Sequence, residues 1–217
     1  MRSLITIGLA FLLFTVSIGQ ERDREKEPPF FKGGFQLPTA LANPSFKRFM
    51  SGVSDFAISF NLPVSKSIHL GLFAEHTYLS FNDLAIPELT NASMQITGGG
   101  LSIGYTVSRS EKTALEFALN GGYSYMLTSS QTCLNSTGNR LNVKGGVSIK
   151  PDVTFYIKSS EYLSFGIMGS YQLLLTEFTP SNLCLEEFEG SFPTDHIGPS
   201  HLFCIGFCFK ANIPPRR

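Results

Sequence analysis

From Leu115 to Leu127 every second residue is apolar, aromatic or glycine: Leu115, Phe117, Leu119, Gly121, Tyr123, Tyr125 and Leu127. The residues between them, Ala114, Glu116, Ala118, Asn120, Gly122, Ser124 and Met126, are mostly small or polar. A strand sends alternate side chains to opposite faces, so this segment predicts one oily face and one small, polar face. The same pattern recurs over roughly 31–38, 53–63, 67–79, 95–108, 112–127, 143–158, 162–177 and 200–212. In the second segment Phe56, Ile58, Phe60 and Leu62 alternate with Ala57, Ser59 and Asn61; in the last, Phe203, Ile205, Phe207 and Phe209 alternate with Cys204, Gly206 and Cys208. Repeated over eight segments, the pattern predicts an all-β fold with oil outside and a polar or tightly packed interior.

The connections sharpen the architecture. Val64-Ser65-Lys66, Arg109-Ser110-Glu111 and Ser159-Ser160-Glu161 read as hairpin turns. The alternate connections, roughly 39–52, 80–94, 128–142 and 178–199, are long and hold most of the irregular sequence. An antiparallel barrel puts alternate connections on opposite rims, so the expectation is an eight-stranded up-and-down transmembrane β-barrel. Its short turns would face the periplasm and its long loops the exterior. Pro63 falls at a turn, whereas Pro151 lies inside a strand; because proline removes a ladder donor, a bulge or a restarted alternation is expected there.

Beyond the N-terminus no segment has the unbroken apolar length of a membrane helix, so strands of about 9–11 residues are the remaining way across a bilayer. At the N-terminus, Arg2, the apolar run from Leu4 to Val16 and the small residues of Ser17-Ile18-Gly19 form an export signal, with cleavage expected before Gln20. Residues 1–19 are thus expected to be a signal peptide, 20–30 a solvated periplasmic tail, and 31–213 the barrel. An uncleaved N-terminal anchor is the alternative, against which the short apolar run argues.

Charge then narrows the partners. Seventeen basic residues balance seventeen acidic ones, and charged residues make up 16% of the chain, below the ~25% of soluble domains. No basic surplus exists to neutralise phosphates, so nucleic acid is not an expected partner; outer-membrane lipid is. By parity Glu75, Glu116, Lys150, Asp152 and Lys158 fall on the inner face. An eight-stranded barrel is just wide enough for side chains to fill it, so these charges are expected to pair across the interior as a packing network. A proton or ion path is the sharper alternative, and the narrow bore counts against it.

The four cysteines are of two kinds. Cys133 and Cys184 lie in long loops on one rim, in an oxidising compartment, and are candidates for a disulfide. Cys204 and Cys208 are four residues apart on one strand, too far to bond to each other, and are expected to act as small inward residues. Neither pair has the spacing or histidine partners of a metal site, and no cofactor is expected. A lipid-modifying reaction would draw on His76, or on Ser200 with His201, if an acid oriented the histidine; otherwise these residues simply suit a membrane boundary, as Tyr78, Tyr123, Tyr125 and Tyr171 do.

The signal ending before Gln20, the opening Gly33-Gly34-Phe35-Gln36-Leu37, the strand pattern Leu101-Ser102-Ile103-Gly104-Tyr105 and the closing run from Phe203 to Phe209 resemble small outer-membrane β-barrel proteins of Bacteroidota, in the broad OmpA-like and PorT-like group. The resemblance spans nearly the whole mature chain and implies an integral outer-membrane protein; it transfers no functional residues. The chain departs from the terminal aromatic of proteobacterial barrels, finishing on Pro214-Pro215-Arg216-Arg217. The leading expectation is a non-enzymatic surface barrel whose exterior loops meet a ligand, a surface or an envelope partner. The acidic 178–199 loop, with Glu186, Glu187, Glu189 and Asp195, is the first candidate for contact. A secreted lipocalin-like barrel holding a small apolar ligand and a lipid-modifying enzyme are the alternatives.

Overall fold

The computed structural model describes residues 28–42, 44–81, 92–108, 110–179 and 198–214. The expected signal peptide, most of the tail, Cys184 and the loop carboxylates Glu186, Glu187, Glu189 and Asp195 lie outside the described residues.

Eight strands alternate direction along the chain: β1 (Phe30–Ala42), β2 (Met50–Pro63), β3 (Ile68–Phe81), β4 (Ser93–Ser108), β5 (Thr113–Ser129), β6 (Leu141–Lys158), β7 (Leu163–Glu177) and β8 (Pro199–Asn212). Each pairs antiparallel with the next, and β8 returns to pair with β1, which closes the barrel. Closure removes both sheet edges and so satisfies the backbone in a medium without water. Two short helices, α1 (Pro44–Phe49) and α2 (Gln131–Thr137), interrupt the first and third long connections.

The register fixes the tilt. Partners followed from Phe30 lead through Asn61, Gly71, Ser102 and Asn120 to Lys150. In the register set by Ile149 and Leu173, the row continues through Gln172 and Leu202 to Ala40, ten residues farther along β1. A closed sheet of this stagger holds its strands about 40° from the barrel axis, and each paired row climbs toward the long-loop rim as it passes from β1 to β8.

The three described short turns share one device. The Oγ atoms of Ser65, Ser110 and Ser160 each accept the backbone N–H three residues on, from Ile68, Thr113 and Leu163, all at 3.1 Å. These donors are the first residues of β3, β5 and β7, so the serine hydroxyl starts each returning strand.

Alternation is carried through as the sequence requires. On β6 the burial pattern alternates without a break from Ser148 to Tyr156. Pro151 therefore makes neither the expected bulge nor a restart. Ile149 pairs with Leu173 and Asp152 with Ser170 in a single register, so the ladder to β7 lapses at the proline and resumes unshifted, with Pro151 facing outward. Register shifts occur instead at Ala40/Ala42, Gly52/Ser54 and Leu174/Glu177, all near the long-loop rim. Midway up the barrel, β4 and β5 approach so closely that a Cβ on Gly100 would sit 2.2 Å from the Gly121 carbonyl oxygen, and one on Gly122 2.2 Å from that of Gly99. Only residues without a side chain fit there.

Candidate functional site

The outward positions form an apolar belt, and the inward positions form a stacked interior of three layers. At the short-turn end, Phe30 and Tyr156 are buried. The Lys210 ammonium lies 3.9 Å from the centre of the Phe30 ring, and the His69 ring meets the same ring edge-on at 5.0 Å. At the long-loop end, α1 folds over the mouth and inserts its two phenylalanines. Phe49 stacks on Phe81 at 5.7 Å between ring centres, and Phe46 meets Phe178 edge-on at 5.5 Å. Below them Leu79, Met94, Ile96, Met126 and Leu202 complete a dry layer. Phe49→Ala should therefore open a cavity under α1 and lower stability by about 3 kcal/mol, read by thermal unfolding in detergent.

Between these apolar ends lies the charge. Among the described residues the buried ionisable groups of opposite sign are the carboxylates of Asp55, Glu75, Glu116 and Asp152 and the ammonium groups of Lys32, Lys150 and Lys210. They form two clusters. Nearer the short turns, Lys32 donates to Glu116 at 2.9 Å and to Asp152 at 2.7 Å, while Lys210 stands 4.0 Å from Glu116. Nearer the loops, Lys150 donates to Asp55 at 2.8 Å and to Glu75 at 3.2 Å. Neutral donors complete the second cluster: Thr77 to Asp55 at 2.6 Å, Gln172 to Glu75 at 2.7 Å and Ser124 to Glu75 at 3.3 Å. Asn120 joins the clusters, its amide nitrogen donating to Asp152 at 2.8 Å and to the Lys150 carbonyl at 3.1 Å. A cavity of about 30 Å³ remains between them, lined by Lys32, Glu75, Glu116, Asn120, Lys150 and Asp152. It has room for one or two waters, not for a solute.

Glu75, Glu116, Lys150 and Asp152 thus lie together in the interior, as their parity predicts. Lys158 does not join them. It is the last residue of β6, exposed at the short-turn rim, where its N–H donates to the Lys112 carbonyl at 2.8 Å; the alternation carries it past the end of the enclosed space. Lys32, Asp55 and Lys210 belong to the network although sequence reasoning passed over them. The signal was present, since Lys32 shares parity with Gln36, Asp55 with Ala57 and Lys210 with Cys208.

The remaining candidates separate. Ser200 is buried with its hydroxyl facing inward, whereas His201 faces outward and its Nδ1 is hydrogen-bonded to the Tyr171 hydroxyl. Neighbours on a strand point to opposite faces, so these two cannot form a nucleophile–base pair. His76 also faces outward, with Nδ1 2.8 Å from the Thr97 hydroxyl. Cys204 and Cys208 are buried free thiols, and Cys133 is disulfide-bonded. The described residues contain no group of three or more His, Cys, Asp or Glu that could hold a metal ion.

No protein-family model and no curated protein matches the chain. Solved structures do. Neisserial surface protein A superposes with a TM-score of 0.58 at 5% identity, covering 88% of this chain and 100% of that one. The outer membrane protein OprG from Pseudomonas aeruginosa superposes with a TM-score of 0.53 at 13% identity, covering 89% and 100%. At such identities the likeness speaks for the fold alone: the chain is a closed eight-stranded antiparallel up-and-down barrel of the small outer-membrane type.

Proposed function

We propose that this chain is a non-enzymatic integral outer-membrane barrel, exported through a cleaved signal peptide, that acts at the cell surface through its long loops. The observation that carries the reading is the inverted distribution of side chains. Large apolar residues such as Leu72, Leu101, Ile167 and Phe207 are exposed around the outer wall, while lysines and carboxylates are buried within. A lipocalin-like carrier needs the reverse, with a wide apolar interior, and here the interior is filled. A conducting pore is equally disfavoured by the apolar layers above and below the charged one. Function is left to the rim where the long connections emerge.

The loop carboxylates Glu186, Glu187, Glu189 and Asp195 remain the first choice for contact with a cationic ligand, surface or envelope partner. The likeness to Bacteroidota barrels rests on the motifs of the sequence. A disulfide from Cys133 to Cys184 belongs to the same reading. Cys204 and Cys208 are free thiols in the wall, which leaves Cys184 as the partner of Cys133 within the chain. Peptide mapping without reduction should recover the two loop peptides linked, and separate peptides would refute the bridge. The assignment as a whole is tested by fractionation. The mature protein, beginning at Gln20, should pellet with outer membranes and require detergent for release; recovery in the periplasm or medium would overturn it.

A further inference from the structure

β1 and β8 are the one pair of neighbouring strands that are not consecutive in the chain, and they meet only because the sheet closes. On the inner face of this seam Lys32 of β1 and Lys210 of β8 are direct partners, and both are buried. Among the described residues no other ladder position pairs two charged side chains. Direct cross-strand partners start with Cβ atoms about 5 Å apart, and like charges placed there push the strands apart. The seam, taken alone, works against its own closure.

The neutralising charge comes from the far wall. Glu116 stands on β5, four strands from β1 and three from β8 round the closed circuit, and it is fully buried. Its two oxygens are divided between the two sides of the seam: Oε1 accepts from Lys32 at 2.9 Å, and Oε2 faces the Lys210 ammonium at 4.0 Å. Oε2 accepts no hydrogen bond from any described residue, so no neutral donor competes with Lys210 there. Asp152 shares Lys32 at 2.7 Å, which leaves Glu116 as the carboxylate that both lysines approach. Two neutral contacts also cross the seam. The Lys210 ammonium lies 3.9 Å from the centre of the Phe30 ring on β1, and Gln36 on β1 donates to the Cys204 carbonyl on β8 at 3.3 Å. The loop-side ion pairs, from Lys150 to Asp55 and Glu75, involve neither seam strand.

We propose that Glu116 is the pin of a closure latch: a carboxylate on one wall holds two mutually repelling lysines, and with them β1 and β8, together on the other. The latch makes closure conditional on β5 being in its final place. It also reads the register of the seam. A slip of two residues, the smallest that keeps each face inward or outward, carries Lys210 about 7 Å along β8 and away from the carboxylate.

Amide hydrogen exchange, followed residue by residue by NMR on the mature protein in detergent micelles, tests this. In Glu116→Gln the amides that bond across β1 and β8 should exchange about tenfold faster relative to those between β4 and β5, although the changed residue lies on β5. Glu116→Asp, whose shorter arm keeps the charge but withdraws it from both lysines, should move the same amides in the same direction and serves if the glutamine variant does not fold. Lys150→Met should not single out the seam. Phe31→Cys joined to Ala211→Cys, outward partners across the seam, should return oxidised Glu116→Gln to wild-type exchange; Leu70→Cys joined to Ile103→Cys, between β3 and β4, should not. Exchange raised evenly over all ladders, raised first between β4 and β5, raised at the seam by Lys150→Met, or restored by either cross-link alike would each make Glu116 an ordinary member of the packing network and overturn the latch.

Discussion

Lys150→Met should lower the unfolding free energy of the barrel by about 3–5 kcal/mol, the usual effect of removing one partner from a buried charge pair. Lys150 is buried with Asp55 and Glu75, and its ammonium donates to both. The methionine would leave two carboxylates facing each other with only Thr77, Gln172 and Ser124 as donors. Burying a charge without its counter-charge is far costlier than burying neither. Adding Asp55→Asn and Glu75→Gln to Lys150→Met should therefore restore most of the loss. Urea unfolding in detergent, followed by the gel shift between folded and heated forms, measures both. An unchanged midpoint for Lys150→Met would show that the loop-side cluster does not hold the interior together.

Leu101→Arg should destabilise the membrane-inserted barrel by about 2–4 kcal/mol, and Val107→Arg on the same strand by about 0–1 kcal/mol. Leu101 is 69% exposed midway along β4, whereas Val107 lies one residue from its short-turn end. In water an exposed leucine exchanged for arginine is close to neutral. In a bilayer the guanidinium must reach an interface, and the distance it has to cover sets the penalty. Equilibrium unfolding from lipid vesicles reads the difference between the two variants. Equal, small effects would mean that the wall does not face hydrocarbon.

The strands were legible because their period is two and their faces differ in kind, so each of the eight segments carried the message separately. Where chemistry at one residue competes with the period, reading faltered. The expected first strand stopped at Pro38, yet β1 continues to Ala42, with Pro38 paired opposite Cys204 inside the ladder. Pro151 had been expected to distort β6 and does not, because the ladder gives up its pairing to β7 locally while β5 keeps Leu119 opposite the proline. The helices α1 and α2, of six and seven residues, are too short for a helical period to declare itself. The spacing of Phe46 and Phe49, three apart, was the one trace of α1 as a lid, and only the fold shows that both rings turn into the mouth.

The interior was legible as parity and illegible as partnership. Glu75, Glu116, Lys150 and Asp152 could be placed inside one by one. That Lys32 meets Glu116 84 positions away, and Lys150 meets Asp55 95 positions away, follows from the stagger of the closed sheet. A single strand's pattern does not encode that stagger. Lys158 marks the opposite limit, where parity continues to the last residue of β6 but the enclosed space does not.

The three register shifts, at Ala40/Ala42, Gly52/Ser54 and Leu174/Glu177, have a consequence for how such a surface can change. A strand that gains or loses one residue turns its whole pattern inside out unless a bulge absorbs the change. With every such slack point placed near the long-loop rim, the exterior connections can lengthen, shorten or be exchanged while the hydrocarbon-spanning ladders keep their phase. The barrel is in this sense a chassis, and a foreign peptide grafted between β7 and β8 should be displayed without disturbing the wall beneath it.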